Sequence, residues 1–228
     1  MNRFLVTGAS SGIGAAVASA LLSRGLQVAV NARSEDKLRA LGDSAVVFPG
    51  DLTAPGVAER VVRGAAEQMG GLDGVLHATG LGLIKPTAET TDAEFTRVMN
   101  VNTRTAFLVA NEACRIFTAQ KRGLFLTIPG VLGKAPMRNA TAYVASKYAV
   151  TGMMKCLALE HQRNGVRFCL FHFGGVDTPF WNDIGMSVQR DKMIPVDTAV
   201  ALILQAIDAP PHLALSEVVM QPDSHILV

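Results

Sequence analysis

The chain has 228 residues and a formal net charge of +2, from 21 Lys and Arg against 19 Asp and Glu. With 49% hydrophobic and 18% charged residues it supplies a sizeable core, which excludes wholesale disorder. So small a charge excess gives no basis for a nucleic-acid partner or an anionic membrane surface.

In chain order, Phe4-Leu5-Val6 predicts a first strand, and Gly12 to Arg24 a helix ended by Gly25. Val28 to Asn31 predicts a second strand, Glu35 to Leu41 a short helix, and Val46-Val47-Phe48 a third strand. Pro55 to Met69 reads as a helix with proline near its first turn, and Gly74-Val75-Leu76 as a fourth strand. Thr91 to Thr118 predicts one long helix, followed by a fifth strand over Leu124 to Ile128. A second long helix is predicted from Ala140 to Arg163, then a sixth strand from Val166 to Phe173. Asp197 is positioned to cap a helix running to Asp208, and Glu217 to Met220 predicts a last strand.

This alternation predicts a doubly wound α/β architecture, with a parallel sheet of about seven strands and helices on both faces. No composition break divides the chain, so residues 1–228 read as a single domain. The longest irregular stretch, 174–194, reads as a substrate lid, because loops of that length inside a domain are usually functional. Cys114, Cys156 and Cys169 are too few and too scattered for a disulfide framework, and no CxxC pair suggests zinc. They read as buried thiols of a reducing compartment. Met1-Asn2-Arg3 and the short apolar run behind it do not read as a signal peptide, and no apolar run has membrane-span length. A cytoplasmic location is therefore expected.

Two motifs carry chemistry. The first strand runs into Thr7-Gly8-Ala9-Ser10-Ser11-Gly12-Ile13-Gly14, and a helix follows at once. Glycines let the backbone turn tightly and approach a pyrophosphate, and the helix N-terminus offers free N–H groups. The second motif is Tyr143-Val144-Ala145-Ser146-Lys147 on the second long helix. A spacing of four puts phenol and ammonium on one face. Moving a tyrosine pKa from about 10 toward 7 requires roughly 4 kcal/mol, which an ammonium and a nearby cationic ring supply in a water-poor site. Such a phenol exchanges a proton with a substrate oxygen while hydride moves at carbon.

With TGASSGIG at 7–14 and YVASK at 143–147, the chain resembles the short-chain dehydrogenase/reductase family over nearly its whole length. The resemblance implies a Rossmann-type fold and hydride transfer between nicotinamide and a small carbonyl or alcohol substrate. Tyr143 would be general acid/base, Lys147 would tune it and hold the nicotinamide ribose, and Asn102 would hold a water in a proton relay. Gly8, Ser10, Ser11, Gly12, Ile13 and Gly14 would cradle the cofactor phosphates. Asp51 and Leu52 would meet the adenine, and Ala78 and Gly80 would line the cofactor cleft. Gly174, Val176 and Thr178 would meet its carboxamide and phosphate ends.

Family members that use NAD usually carry an acidic residue at the end of the second strand. Here that end reads Val30-Asn31-Ala32-Arg33. Arg33, with Asn31 as a further donor, suits a 2′-phosphate, so NADP(H) is expected over NAD(H). The alternative is a surface pair of Arg33 with Glu35 or Asp36.

The resemblance breaks at Gly130, thirteen residues before Tyr143, where the family places a catalytic serine. Losing one preorganised donor typically costs on the order of 10² to 10³ in rate, which weakens an enzyme without abolishing it. Thr79, Thr141 and His172 are candidate substitutes, and a serine restored at 130 is expected to raise activity. His77 and His172 both fall at strand C-termini, where buried, hydrogen-bonded rings are favoured over a shared metal. The competing function is a catalytically impaired cofactor-binding homologue that acts as a redox sensor or partner subunit. Phe180, Trp181, Ile184, Met186, Met193 and Ile194 in 174–194 suggest an apolar substrate. The two long helices imply, by the resemblance, pairing in a homodimer or homotetramer.

Overall fold

Successive side chains of a strand point to opposite faces. The predicted strands are apolar at nearly every position, so both faces of any sheet they form must be covered. The computed structural model describes residues 1–228. Strands β1 (Arg3–Thr7), β2 (Gln27–Ala32), β3 (Val46–Pro49), β4 (Gly74–His77), β5 (Gly123–Thr127), β6 (Val166–Phe173) and β7 (Glu217–Met220) form one sheet, in the order β3-β2-β1-β4-β5-β6-β7. Every pairing is parallel.

The helices are α1 (Gly12–Ser23), α2 (Glu35–Arg39), α3 (Val57–Gln68), α4 (Asp92–Met99), α5 (Thr105–Gln120), α6 (Thr141–His161) and α7 (Val196–Asp208). On one face Phe4, Val6, Val28 and Val30 pack with Val17 and Leu21 of α1, Leu38 of α2 and Ile203 of α7. On the other, Leu5, Ala29, Val75 and Phe125 pack with Val61 and Val62 of α3, Val109 and Phe117 of α5, and Met154 of α6. The alternation Phe4, Leu5, Val6 thus feeds two cores from one strand. The chain order reverses between β1 and β4, and in such sheets ligands bind in the crevice beyond the strand C-termini at that point.

Four local expectations are corrected. The long helix expected over 91–118 is interrupted: α4 and α5 are joined by a π turn at Asn100–Arg104. Asp197 does not cap α7; Pro195 holds that position and Asp197 lies in the first turn, where its charge suits the helix dipole. Pro55 lies two residues before α3, which opens at Gly56 in a left-handed conformation. Of the three thiols, Cys114 and Cys169 are buried but Cys156 is exposed on α6. Residues 174–194 are not structureless: an isolated bridge pairs Val176 with Ile194, and 3₁₀ turns cover Pro179–Asp183 and Arg190–Lys192. No helix is long and apolar enough to cross a membrane.

Gly123, at the start of β5, lies flush against the Phe117 ring; an added Cβ would come within 2.1 Å of it. Gly123→Ala is therefore expected to destabilise the fold by about 1–3 kcal/mol through overpacking. Urea unfolding measures this, and an unchanged midpoint would contradict the packing.

Candidate functional site

The C-termini of β1, β4 and β5 end level, with Thr7 opposite His77 and His77 opposite Thr127. The glycine turn leaves β1 here. Gly8 has φ 70°, and a Cβ on it would sit 2.7 Å from the Ala78 carbonyl. A Cβ on Gly14 would sit 2.4 Å from the Gly8 carbonyl oxygen. Both positions are closed to any side chain by backbone, which explains these glycines without a ligand. Gly12 differs, with φ 55° and its open side facing Thr178 Cβ at 3.3 Å. Ser11 precedes α1 without capping it through its side chain, so the first N–H groups of the helix lack intrahelical partners. Half-buried Ser10 and Ile13, exposed Ser11 and buried Thr178 surround this point. Free amides at a helix start, with glycine in front of them, fit a phosphate group.

Lys147, on α6, is 9% exposed and donates from Nζ to the Ile128 carbonyl at 3.1 Å. Burial brings its pKa down to about 8. Its Nζ lies 5.6 Å from the centroid of the Tyr143 ring. A Cβ on exposed Gly80 would be 3.6 Å from that Nζ and 3.4 Å from Asn102 Oδ1. Lys147, Asn102, Gly80 and Tyr143 are therefore brought together. In the chain without cofactor, burial pushes the Tyr143 pKa above its ordinary value. The lysine hydrogen bond goes to a carbonyl and not to the phenol oxygen. Phe180 packs its ring 6.2 Å from that of Tyr143, and Trp181 meets Phe180 edge-on at 5.4 Å.

Asn102 sits in the π turn and is almost fully buried. Its Oδ1 accepts from the Leu81 N–H at 2.8 Å; its Nδ2 donates to the Leu81 carbonyl and to Ser146 Oγ, both at 2.9 Å. Sequence reading singled out Asn102 but missed Ser146 as its partner, because the two are 44 residues apart. The extra residue of a π turn rotates one side chain out of helical phase, and such turns occur often at functional sites.

At the end of β2 the expectations divide. Asn31 is buried and spends its amide on the carbonyls of Phe48 at 2.9 Å and Gly50 at 3.3 Å. It ties β2 to the end of β3 and is not a free donor for a ligand, which corrects that part of the reading. Arg33 is exposed and makes no ion pair; Glu35 is taken by Arg39 instead. Asp51 is exposed, and two hydrogen bonds from Thr53 hold its carboxyl below the usual range, with Arg33 adding attraction. The Leu52 side chain belongs to the core, so only its backbone can face a ligand.

Gly130 has φ 75° and ψ 172°, a region essentially confined to glycine. A serine restored there is strained, so the expected gain from Gly130→Ser is withdrawn. Of the three candidate substitutes, Thr141 shares a 2.7 Å hydrogen bond with Thr87 in an exposed position. His172 is fully buried and turned onto the Gly130 carbonyl at 3.0 Å. Half-buried Thr79 lies beside Gly8. His77 is bonded separately, to Thr7 at 2.9 Å and Thr105 at 3.3 Å. Because the Thr105 hydroxyl donates to Val101, His77 donates from Nε2 and accepts at Nδ1. The 174–194 segment packs on the stretch after β4 and on itself: a Cβ on Gly82 would collide with Ile184 and Phe180, and Trp181 and Met193 pack on Gly175.

Burial, with the Lys147 ammonium adding repulsion, holds the His77 pKa at about 3. The unfolded chain then binds this proton first, so stability is expected to fall as pH drops from about 6.5 toward 3. Urea midpoints over that window measure the effect, and His77→Gln should flatten it. Gly130→Ser is expected to lose about 1–3 kcal/mol of stability from backbone strain, read by thermal unfolding.

The family model described as short chain dehydrogenase matches residues 2–188. An uncharacterized oxidoreductase of Staphylococcus aureus (strain MRSA252) is 30% identical over 223 residues, 96% of each chain. An alcohol dehydrogenase from the archaeon Thermococcus sibiricus, solved with 5-hydroxy-NADP, superposes with a TM-score of 0.91 over 99% of this chain and 98% of its own, at 23% identity. A metagenomic short-chain oxidoreductase, solved with NADP, superposes with a TM-score of 0.80 over 97% of this chain and 96% of its own, at 28% identity. With most of its length matched by the family model and its fold shared with solved dehydrogenases, this chain belongs to the short-chain dehydrogenase family of oxidoreductases.

Proposed function

We propose that the protein is an NADP(H)-dependent oxidoreductase that interconverts a small carbonyl and its alcohol, with Tyr143 as general acid/base. The observation that carries this reading is the buried Lys147 ammonium beside Tyr143, Asn102 and exposed Gly80. An ammonium taken out of water demands compensation, and here its single protein hydrogen bond is to Ile128. The remaining N–H groups are free for a ligand hydroxyl such as that of a ribose.

The residues fit a dinucleotide. The free amides of α1 would hold its phosphates, Asp51 its adenine, Lys147 its ribose next to nicotinamide, and Thr178 with the Val176 backbone its carboxamide end. When bound, the nicotinamide supplies or takes up the hydride. Tyr143, kept protonated by burial, is in the form that donates a proton to a carbonyl oxygen. Lys147 stabilises the phenolate that this transfer leaves. Both Nδ2 protons of Asn102 are used within the protein, so a relay water would sit on Oδ1. Residues 174–194 act as a lid, and Phe180 supplies an aromatic wall against which an apolar substrate packs.

Arg33, just past the end of β2, supports a preference for NADP(H) because it is exposed and makes no ion pair, with Asp51 the carboxylate that feels its charge. The solved relatives bound to NADP or a derivative of it support the same reading. The catalytically impaired alternative rests on Gly130, whose backbone conformation excludes the serine hydroxyl. A homo-oligomer is proposed as well: Phe107 on α5 and Tyr148 and Leu159 on α6 are exposed, and pairing these helices would cover them.

NADPH oxidation against a panel of apolar aldehydes and ketones tests the activity. Tyr143→Phe is expected to reduce kcat by about 10² to 10⁴ with folding intact. Cofactor binding with no turnover of any carbonyl would favour the impaired reading. Titration of both reduced dinucleotides should show tighter NADPH binding, and Arg33→Ala should erase roughly tenfold or more of that difference. Equal affinities in the unsubstituted protein would remove the claim.

A further inference from the structure

His172 lies outside the group of residues just assigned, yet it touches the loop on which that group depends. It is fully buried near the end of β6. Its Nδ1 meets the Gly130 carbonyl at 3.0 Å, so Nδ1 carries the proton and donates. Its Nε2 is buried without a hydrogen-bond partner and faces Glu217 Oε2 at 3.6 Å. Glu217 is already held by Lys134, from the loop after β5, and by Lys155 of α6. The carboxylate therefore has no need of the imidazole as a counterion. Burial holds the ring neutral, its pKa below the ordinary value. An unpartnered buried nitrogen is destabilising, and an apolar side chain of similar size would avoid that cost. The Nδ1 bond is what a histidine contributes at this position.

The Gly130 carbonyl is where the 128–134 loop is anchored. Gly130 donates its N–H to the Phe171 carbonyl at 3.1 Å, and its own carbonyl also accepts from Gly133 at 3.0 Å. Glycine in this conformation has no side chain to restrict it, so these bonds define its peptide orientation. Two residues earlier, Ile128 offers the carbonyl that holds Lys147. Three residues later, Gly133 packs so closely on α6 that a Cβ would lie 2.6 Å from Thr151 Oγ1 and 3.2 Å from the Lys147 carbonyl. At its far end the loop is held by the Tyr148 hydroxyl, which donates to the Lys134 carbonyl at 2.5 Å.

We propose that His172 is a positioning residue of the active site: by clamping the Gly130 carbonyl to β6 it fixes the loop whose Ile128 carbonyl orients the Lys147 ammonium. It acts through backbone, where a side chain at 130 cannot. The proposal rests on the reading that Lys147 faces the dinucleotide and tunes Tyr143.

The test compares two polar, near-isosteric variants. His172→Asn places an N–H close to the Nδ1 position, whereas His172→Gln carries its amide farther out, toward the Nε2 position. His172→Asn is expected to keep kcat and the NADPH Kd within about twofold of the unsubstituted protein; His172→Gln is expected to lower kcat by about tenfold and to weaken NADPH binding severalfold, at an unchanged carbonyl KM. Hydrogen exchange of the 128–134 peptide should rise in His172→Gln alone. Equal kcat and Kd in the two variants would overturn the proposal. So would loss of folding in both, read by circular dichroism, since His172 would then serve stability only. If the unsubstituted protein binds NADPH but reduces no carbonyl, the functional reading fails while the Kd and exchange comparisons still decide the role of His172. If it binds no NADPH, both fall.

Discussion

Burying the Lys147 ammonium is the constraint around which this end of the molecule is organised. A charge taken out of water must be met by dipoles or lose its proton, and both effects are visible here: a carbonyl from the loop after β5 meets it, and its pKa falls to about 8. Meeting that demand requires β5 to end where it does, α6 to cross at its present height, and the 128–134 loop to turn back on itself. Tyr143, one helical turn before Lys147, is carried to the same place by the same helix. Asn102 and Gly80 complete the enclosure from the β4 side.

The residues that enclose this charge each break a local rule, and each is compensated by tertiary contacts. Asparagine is disfavoured in helix interiors, but Asn102 spends both Nδ2 protons on Leu81 and Ser146 and accepts at Oδ1 from Leu81 inside a π turn. Gly130 occupies a conformation that other residues avoid, held by bonds from β6 and from Gly133. His77 is kept neutral between two threonines. Departures from local preference that the rest of the fold supports concentrate at functional sites.

The alternation of apolar strands with longer helical patterns was legible from residues 3 to 220, because periodicity reports directly which faces must be covered. The glycine turn was legible for a related reason: positive φ at Gly8 and Gly12 leaves few other residue types. The Tyr143–Lys147 pair was legible because a spacing of four has one meaning on a helix. Asn31 was not. Its position beside a presumed ligand suggested a donor, but the carbonyls that occupy it belong to Phe48 and Gly50 on another strand. The break between α4 and α5 was equally silent, because the pattern over 91–118 suits a straight helix and the π turn answers to Leu81 and Ser146.

The amino-acid sequence by itself determined the sheet, its two helical coats, the glycine turn and the helix that pairs phenol with ammonium. These follow from interactions between near neighbours and from the sorting of apolar from polar side chains. Only the tertiary structure decided which polar groups spend all their N–H hydrogen bonds inside the protein and which do not. That choice separates Asn31 from Arg33 and His172 from Lys147. It depends on which distant carbonyl, carboxylate or hydroxyl folding brings within about 3 Å, and no local pattern encodes a partner that arrives from elsewhere in the chain.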